Sequence, residues 1–308
     1  MQKFCGFELK LQSFYGELNA RTELGHGTYG VVFRGFEPST GEVVACKLFS
    51  NKDEWKREHK FYGIMYESLA TQPEDLHGER FFLENFGAFT ISDTFYAITL
   101  EYLPTDVYKV MRGGTIAEYQ ADTILLQMSI ALRFLHHCKI VHLDVKPANI
   151  LFNDILHRAV LCDFSLSIHV GGIDESVSTV PASVSNLCTE RYRPPELIVP
   201  DSYHLSPQDL VTRGVDVFSL AVVYWEIAVR AQGETRAMPL FPKGDKDVVN
   251  YKLERDAKKE QWKDCYWYSR IKRAGARTLK LIMKMLDPDF SLRVGFAHKV
   301  GDFNIVLD

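Results

Sequence analysis

Three glycines, a lysine and a carboxylate recur early in the chain at spacings that could hold a phosphate. Gly25-His-Gly27-Thr-Tyr-Gly30-Val-Val32 removes Cβ atoms where backbone amides would approach phosphate oxygens. A tight hairpin turn explains the same spacing. A dinucleotide site would need this loop to open a helix, whereas Val31, Val32 and Phe33 continue as a strand, which favours a glycine-rich lid. Val43-Val-Ala45-Cys-Lys47 then places a lysine at the end of an apolar strand. That lysine either snorkels to water or points inward to hold phosphates, and an inward ammonium needs a fixed carboxylate beside it. Trp55, Glu58, Tyr62, Met65 and Leu69 fall on one helical face. Glu58 lies inside that apolar stripe, where an unpaired carboxylate is costly, so Lys47 is its expected partner. Glu54, one turn earlier, is the rival, either as the partner or as a solvated helix-start residue.

Positioning these groups requires strands first and helices later. Alternating segments at Leu24 to Phe33, Glu42 to Phe49, Phe81 to Phe89 and Thr94 to Tyr102 predict strands, with one helix from about Asp53 to Leu69. Helical patterns follow at Ala121 to His137, Val215 to Val229 and Thr278 to Leu286. The order predicts a small β-rich lobe, residues 1–103, hinged to a larger helical lobe, residues 104–308, and ligands favour such interdomain clefts. The 308 residues are 46% hydrophobic and 25% charged, which excludes a disordered or collagen-like chain. A formal net charge of −4 argues against a protein that coats nucleic acid. The start, MQKFCGFELK, has no signal-peptide core, and Asp216 and Glu226 interrupt the most apolar stretch, so no membrane segment is expected. Six scattered cysteines suit reduced thiols, and the expected location is intracellular, in cytoplasm or nucleus.

The strongest signal is Ile140-Val-His142-Leu-Asp144-Val-Lys146-Pro-Ala-Asn149-Ile-Leu151-Phe152, followed by Leu161-Cys-Asp163-Phe-Ser165. Here the chain resembles the eukaryotic protein kinases, from about Leu24 to Arg293. The resemblance implies an α+β, bilobal kinase-like fold that binds ATP and Mg²⁺ and phosphorylates Ser/Thr hydroxyls of protein substrates. It implies that Asp144 accepts or orients the substrate's hydroxyl proton, that Lys146 stabilises the transferred phosphoryl group, and that Asn149 and Asp163 hold Mg²⁺. Lys47 and Glu58 would form the phosphate-side ion pair. Gly25, Gly27, Gly30, Val32, Ala45 and Leu151 would complete the nucleotide site with a hinge at Leu100, Glu101, Leu103 and Asp106. Of these, Asp106 would meet the ribose; an edge strand and its turn is the plainer reading of the hinge. Leu187-Cys-Thr189-Glu-Arg-Tyr192-Arg193-Pro-Pro-Glu196 resembles the end of an activation segment. Thr189 would contact Asp144 and Lys146, Glu196 would pair with Arg293, and Asp216 would tie down the catalytic loop or cap a helix.

Resemblances to cyclin-dependent and MAP-type kinases and to Mos and Wee-related kinases are mixed, so no subfamily follows; a divergent viral kinase would show such a mixture. Leu143 replaces the usual arginine before the catalytic aspartate, and Ser165 the usual glycine. Without that arginine, a phosphate on Ser176, Ser178, Thr179, Ser183 or Ser185 loses its central cation, so activity is expected not to require one. A pseudokinase acting as a nucleotide-binding or scaffolding module is the competing function; the presence of Lys47, Asp144, Asn149 and Asp163 argues for the enzyme. A small-molecule kinase is disfavoured by the segment from Thr189 to Glu196. Residues 252–284 hold eleven Lys or Arg against four Asp or Glu, either a solvated helical face or a dock for an acidic partner.

Overall fold

In the computed structural model the described residues are 7–27, 30–69, 78–114, 116–171, 179–180, 183–236, 238–258 and 261–293. The chain divides into two compact units. The first comprises Met1–Ala70 and Phe82–Pro104, the second Thr71–Phe81 and Thr105–Asp308.

The first unit is a seven-stranded antiparallel sheet with one helix. Its strands are β1 (Phe7–Leu11), β2 (Phe14–Leu18), β3 (Glu23–Gly27), β4 (Gly30–Phe36), β5 (Val43–Phe49), β6 (Asn85–Ser92) and β7 (Phe95–Glu101). They run β1-β2-β4-β5-β7-β6, with β3 paired to β4. Alternation sorts β5 into two faces. Phe33, Val44, Cys46, Leu48 and Ala97 turn one way and form a core with Leu9, Phe14 and Leu18 of the β1–β2 hairpin. That hairpin is latched by Ser13 Oγ, 2.6 Å from Thr99 Oγ1. Gly35 permits the close approach, because a Cβ there would stand 2.4 Å from the Phe14 ring.

Helix α1 (Lys52–Ser68) starts at Asn51, whose side chain accepts from the amides of Asp53 and Glu54. Trp55 pins it to β7 by donating Nε1–H to Ala97 O at 3.0 Å and stacking on Tyr96. Glu58, Phe61, Tyr62 and Met65 are its buried residues.

The expected strand from Phe81 to Phe89 is displaced: the strand is Asn85–Ser92. Gly78–Phe81 is instead a short 3-10 turn grouped with the second unit. Gly78 lies where a Cβ would meet Phe134 at 2.2 Å, and Arg80 O accepts from Arg158 Nε at 3.0 Å. Those tertiary contacts outweigh the apolar run of Phe81, Phe82 and Leu83.

The second unit is mainly helical: α2 (Val107–Gly113), α3 (Glu118–His137), α4 (Pro195–Ile198), α5 (Pro207–Leu210), α6 (Arg213–Ala231), α7 (Asp245–Ala257), α8 (Tyr266–Ile271) and α9 (Ala276–Met285). Helix α6 is buried from Gly214 to Arg230, as its nearly all-round apolar sequence requires. Five short strands complete the unit: β8 (Thr105–Asp106), β9 (Ile140–Val141), β10 (Ile150–Asn153), β11 (Arg158–Leu161) and β12 (Ile168–His169). β10 pairs with β11 and β8, and β9 with β12. Among the described residues no helix is long and apolar enough to cross a membrane.

Candidate active site

Each unit carries its own cluster of polar groups. In the first, the β4–β5 and β5–β7 registers set Val32 opposite Lys47 and Ala45 opposite Leu100. Period-two alternation therefore puts these four residues on the sheet face away from the β1–β2 hairpin. Gly27 pairs with Gly30 at the end of the β3–β4 hairpin, so the glycine-rich loop closes a hairpin and opens no helix. Its tip, Thr28 and Tyr29, lies outside the described residues. Gly30 is needed for packing, since a Cβ would stand 2.5 Å from Leu48 O, whereas a Cβ on Gly25 would meet nothing within 4 Å.

Lys47 Nζ lies 2.6 Å from Glu58 Oε2, and both side chains are buried. Burial favours the pair over either ion alone, because each alone would face a desolvation cost of several kcal/mol. Glu54 stands one turn before that pair. It sits half-buried in the first turn, where burial pushes its carboxyl up and Lys47 pulls it back down.

The hinge residues lie at and beyond the end of β7. The Glu101 amide donates to Glu84 O at 2.9 Å, and Leu103 is buried. Asp106 is the cap of α2. Its Oδ1 accepts from Lys109 N at 2.8 Å, and its Oδ2 is 3.0 Å from Lys109 Nζ. Leu151 of β10 faces Asp106 across the ladder.

In the second unit the loop after β9 gathers around one carboxylate. Thr189 donates its hydroxyl to Asp144 Oδ1 at 2.6 Å. Lys146 Nζ reaches Asp144 Oδ2 at 2.6 Å and Thr189 Oγ1 at 3.1 Å. Asn149 Nδ2 donates to both Asp144 Oδ2 and Asp144 O at 2.9 Å. These bonds to a charged acceptor fix the rotamer of Asp144. Cys162 N donates to Asn149 O at 3.0 Å, continuing the β10–β11 register by one pair. Asp163 therefore follows directly beside Asn149 at one end of that hairpin. It has φ +72°, a left-handed conformation that an aspartate tolerates better than most residues.

A buried frame holds the loop from behind. Asp216 accepts from His142 N and Leu143 N, both at 2.9 Å, and lies 3.0 Å from His136 Nε2. Thr212 caps α6, so Asp216 serves the loop and not the helix start. His142 Nδ1 accepts from Asp144 N at 3.3 Å while Nε2 donates to Cys162 O at 3.1 Å, which assigns the tautomer. Glu196 and Arg293, both fully buried, meet at 2.6 Å, and Arg293 also donates to Gly214 O. Leu143 has φ +66° and packs in an apolar cluster with Val184, Leu187 and Cys188 of the following segment. Ser176 and Ser178 of that segment lie outside the described residues.

Sequence reasoning missed His136 as a support for Asp216; its place on the buried face of α3 was the available signal. It also missed the Tyr192 hydroxyl donating to Glu226 Oε2 at 3.1 Å, a pair nothing in the local sequence announces.

The family model described as "Protein kinase domain" matches residues 18–302. The chain is similar to Mitogen-activated protein kinase 15 of Xenopus laevis, at 29% identity over 229 residues, covering 72% of this chain and 35% of that protein. It is similar to Extracellular signal-regulated kinase 2 of Dictyostelium discoideum, at 25% over 210 residues, 67% of this chain and 53% of that protein. Serine/threonine-protein kinase tousled-like 1 of Caenorhabditis elegans is 28% identical over 214 residues, 66% of this chain and 21% of that protein. The chain thus spans between about a fifth and about half the length of these relatives. With the match covering most of the sequence and both polar clusters inside it, the chain belongs to the protein kinase family.

Proposed function

We propose that the chain is an ATP-dependent Ser/Thr protein kinase whose reacting hydroxyl is addressed by Asp144. The observation that carries this reading is the Asp144 carboxylate. Oδ1 already accepts a hydroxyl, that of Thr189, and Oδ2 is held by Lys146 and Asn149. A carboxylate so held can orient an incoming serine or threonine and take its proton as the new O–P bond forms and the bond from the γ-phosphorus to the bridging oxygen breaks, releasing ADP. Lys146, bonded to the same carboxylate, puts a positive charge where negative charge would develop.

The donor set fits Mg²⁺. With Asn149 Nδ2 bonded to Asp144, the amide's Oδ1 remains as an oxygen donor, and the carboxylate of Asp163, the residue after the Asn149–Cys162 pair, would be the second. Mg²⁺ takes one or two protein side chains and completes its shell with phosphates and water, so two oxygen donors are enough. Bound Mg²⁺-ATP supplies the phosphoryl group and neutralises its charge. Lys47, held by Glu58, binds phosphate oxygens; Val32, Ala45 and Leu100 share its sheet face and offer apolar contact to the base. The Thr189–Asp144 contact supports protein substrates bearing Ser or Thr, in the manner the resemblance implies. No nucleic-acid substrate is expected.

The test is incubation with labelled ATP, Mg²⁺ and a generic basic protein, comparing the parent with Asp144→Asn. Transfer by the parent alone supports the reading. ATP binding without transfer by the parent would assign the chain to nucleotide-binding modules.

A further inference from the structure

The basic stretch 252–284 divides once the chain is folded. Several cations have partners within the chain, most of them in surface pairs: Lys252 with Asp256, Arg270 with the carbonyls of Leu240 and Pro239, Arg273 with Glu234, and Arg277 with Glu118 and Asp122. Four cations of the stretch border a groove.

That groove has a volume of about 400 Å³ and lies between the end of α7, the turn Trp262–Asp264, α8 and α9. Half-buried Leu279 and Met283 form its apolar floor beside the buried Trp262. Arg255, Lys263, Lys280 and Lys284 bring four cations to its wall and rim; no carboxylate is among the described lining residues, although Arg255 lies 3.9 Å from Asp287 just outside them. Lys280 and Lys284 stand one turn apart on α9, a like-charge spacing that costs a helix stability. In the wall, Arg255 Nε and Trp262 Nε1 are buried without an acceptor. Apolar floor, cationic rim and an excess of donors describe one complementary ligand: an acidic peptide with an apolar side chain between carboxylates.

We propose that this groove docks such an acidic–apolar segment of a partner protein. A nucleic acid fits it less well. The Arg255 guanidinium lies 5.0 Å from the Trp262 ring centroid, so that ring face is already stacked and is not offered to a base. The proposal concerns docking alone and stands or falls separately from phosphoryl transfer.

The probe is a short fluorescein-labelled peptide with one leucine flanked by glutamates and no serine, threonine or tyrosine, so it cannot be a phosphorylation substrate. Fluorescence anisotropy against the whole protein is expected to show saturable binding. Lys280→Glu with Lys284→Glu should weaken it about tenfold or more, and Leu279→Ser, or a serine in place of the peptide's leucine, should weaken it several-fold. The transition temperature and any transferase activity of the lysine variants should match the parent; if the reversal unfolds, the Gln pair at the same positions replaces it. Three outcomes overturn the proposal: no saturable binding to the parent, equal binding to the lysine variants, or stronger displacement by a single-stranded oligonucleotide than by unlabelled peptide.

Discussion

The Lys47–Glu58 pair and the Asp144 cluster are both buried charge constellations, but they are built in opposite ways. Lys47 and Glu58 come from a strand and a helix, and their meeting depends on the β5–β7 register and on Trp55 docking α1. Asp144, Lys146 and Asn149 come from one loop within six residues, and distant groups such as Asp216 and Thr189 only steady it. The first joins residues of two separate elements. The second distributes one carboxylate's bonds over several donors. Removing a group should therefore damage chemistry most in the second cluster and packing most in the first.

Asp144→Asn offers the sharpest break. It should reduce transfer by about 10²–10⁴-fold, the usual worth of a positioned general base, while the melting temperature stays near the parent's. An unchanged turnover would remove Asp144 from the chemistry. Lys47→Met should lower turnover about 10²-fold or more and also destabilise the first unit, since Glu58 is left buried without its ammonium. Glu58→Gln should cost less, and Glu54→Gln should lie within about twofold of the parent, as surface changes usually do. Kinetics that rank Glu54→Gln above Glu58→Gln would move the pair.

A third buried carboxylate sharpens the contrast because it has no cationic partner at hydrogen-bond distance. Burial pushes Glu226 up to about 7 from 4.5, partly offset by the Tyr192 hydroxyl. Between those values the folded chain binds the proton and the unfolded chain has lost it, so stability falls as pH rises from about 4.5 to 7 and then levels. Glu226→Gln should raise stability at pH 8 by on the order of 1–3 kcal/mol and leave it unchanged near pH 4. Denaturant titrations at the two pH values check the difference, and an equal effect at both would refute the assignment.

The smallest effect expected is none. Leu143 sits in an apolar cluster with Val184, Leu187 and Cys188, so hydrophobic contact ties the segment to the loop where a phosphate and an arginine could otherwise do so. Phosphatase treatment that leaves residues 165–195 without phosphate, verified by mass spectrometry, should change kcat by less than about twofold. A collapse of activity that rephosphorylation restores would show that packing alone does not order the segment.

These differences track what could be read from sequence. The Asp144 cluster was legible because its residues are neighbours in the chain as well as in space. The Lys47–Glu58 pair required helical periodicity and the argument that a carboxylate in an apolar stripe needs company. His136, Thr212 and Glu226 were not read, because their partners lie far along the chain or depend on where a helix begins. The β1–β2 hairpin was passed over although Phe7, Leu9 and Leu11 alternate, as do Phe14, Gly16 and Leu18, across a Gln-Ser turn. The misplaced strand at Phe81 shows the converse, an apolar run whose backbone is claimed by Phe134 and Arg158.

That hairpin governs how the protein can be cut. The family match begins at residue 18, yet Leu9 and Phe14, which cover Phe33, Cys46 and Leu48, lie before it. A fragment trimmed to the matched span would lose the hydrophobic cover of one sheet face and expose a β-rich apolar surface of the kind that self-associates. The practical consequence falls on recombinant work: residues 7–17 belong in any expression design, and a fusion partner is better joined ahead of them than in their place.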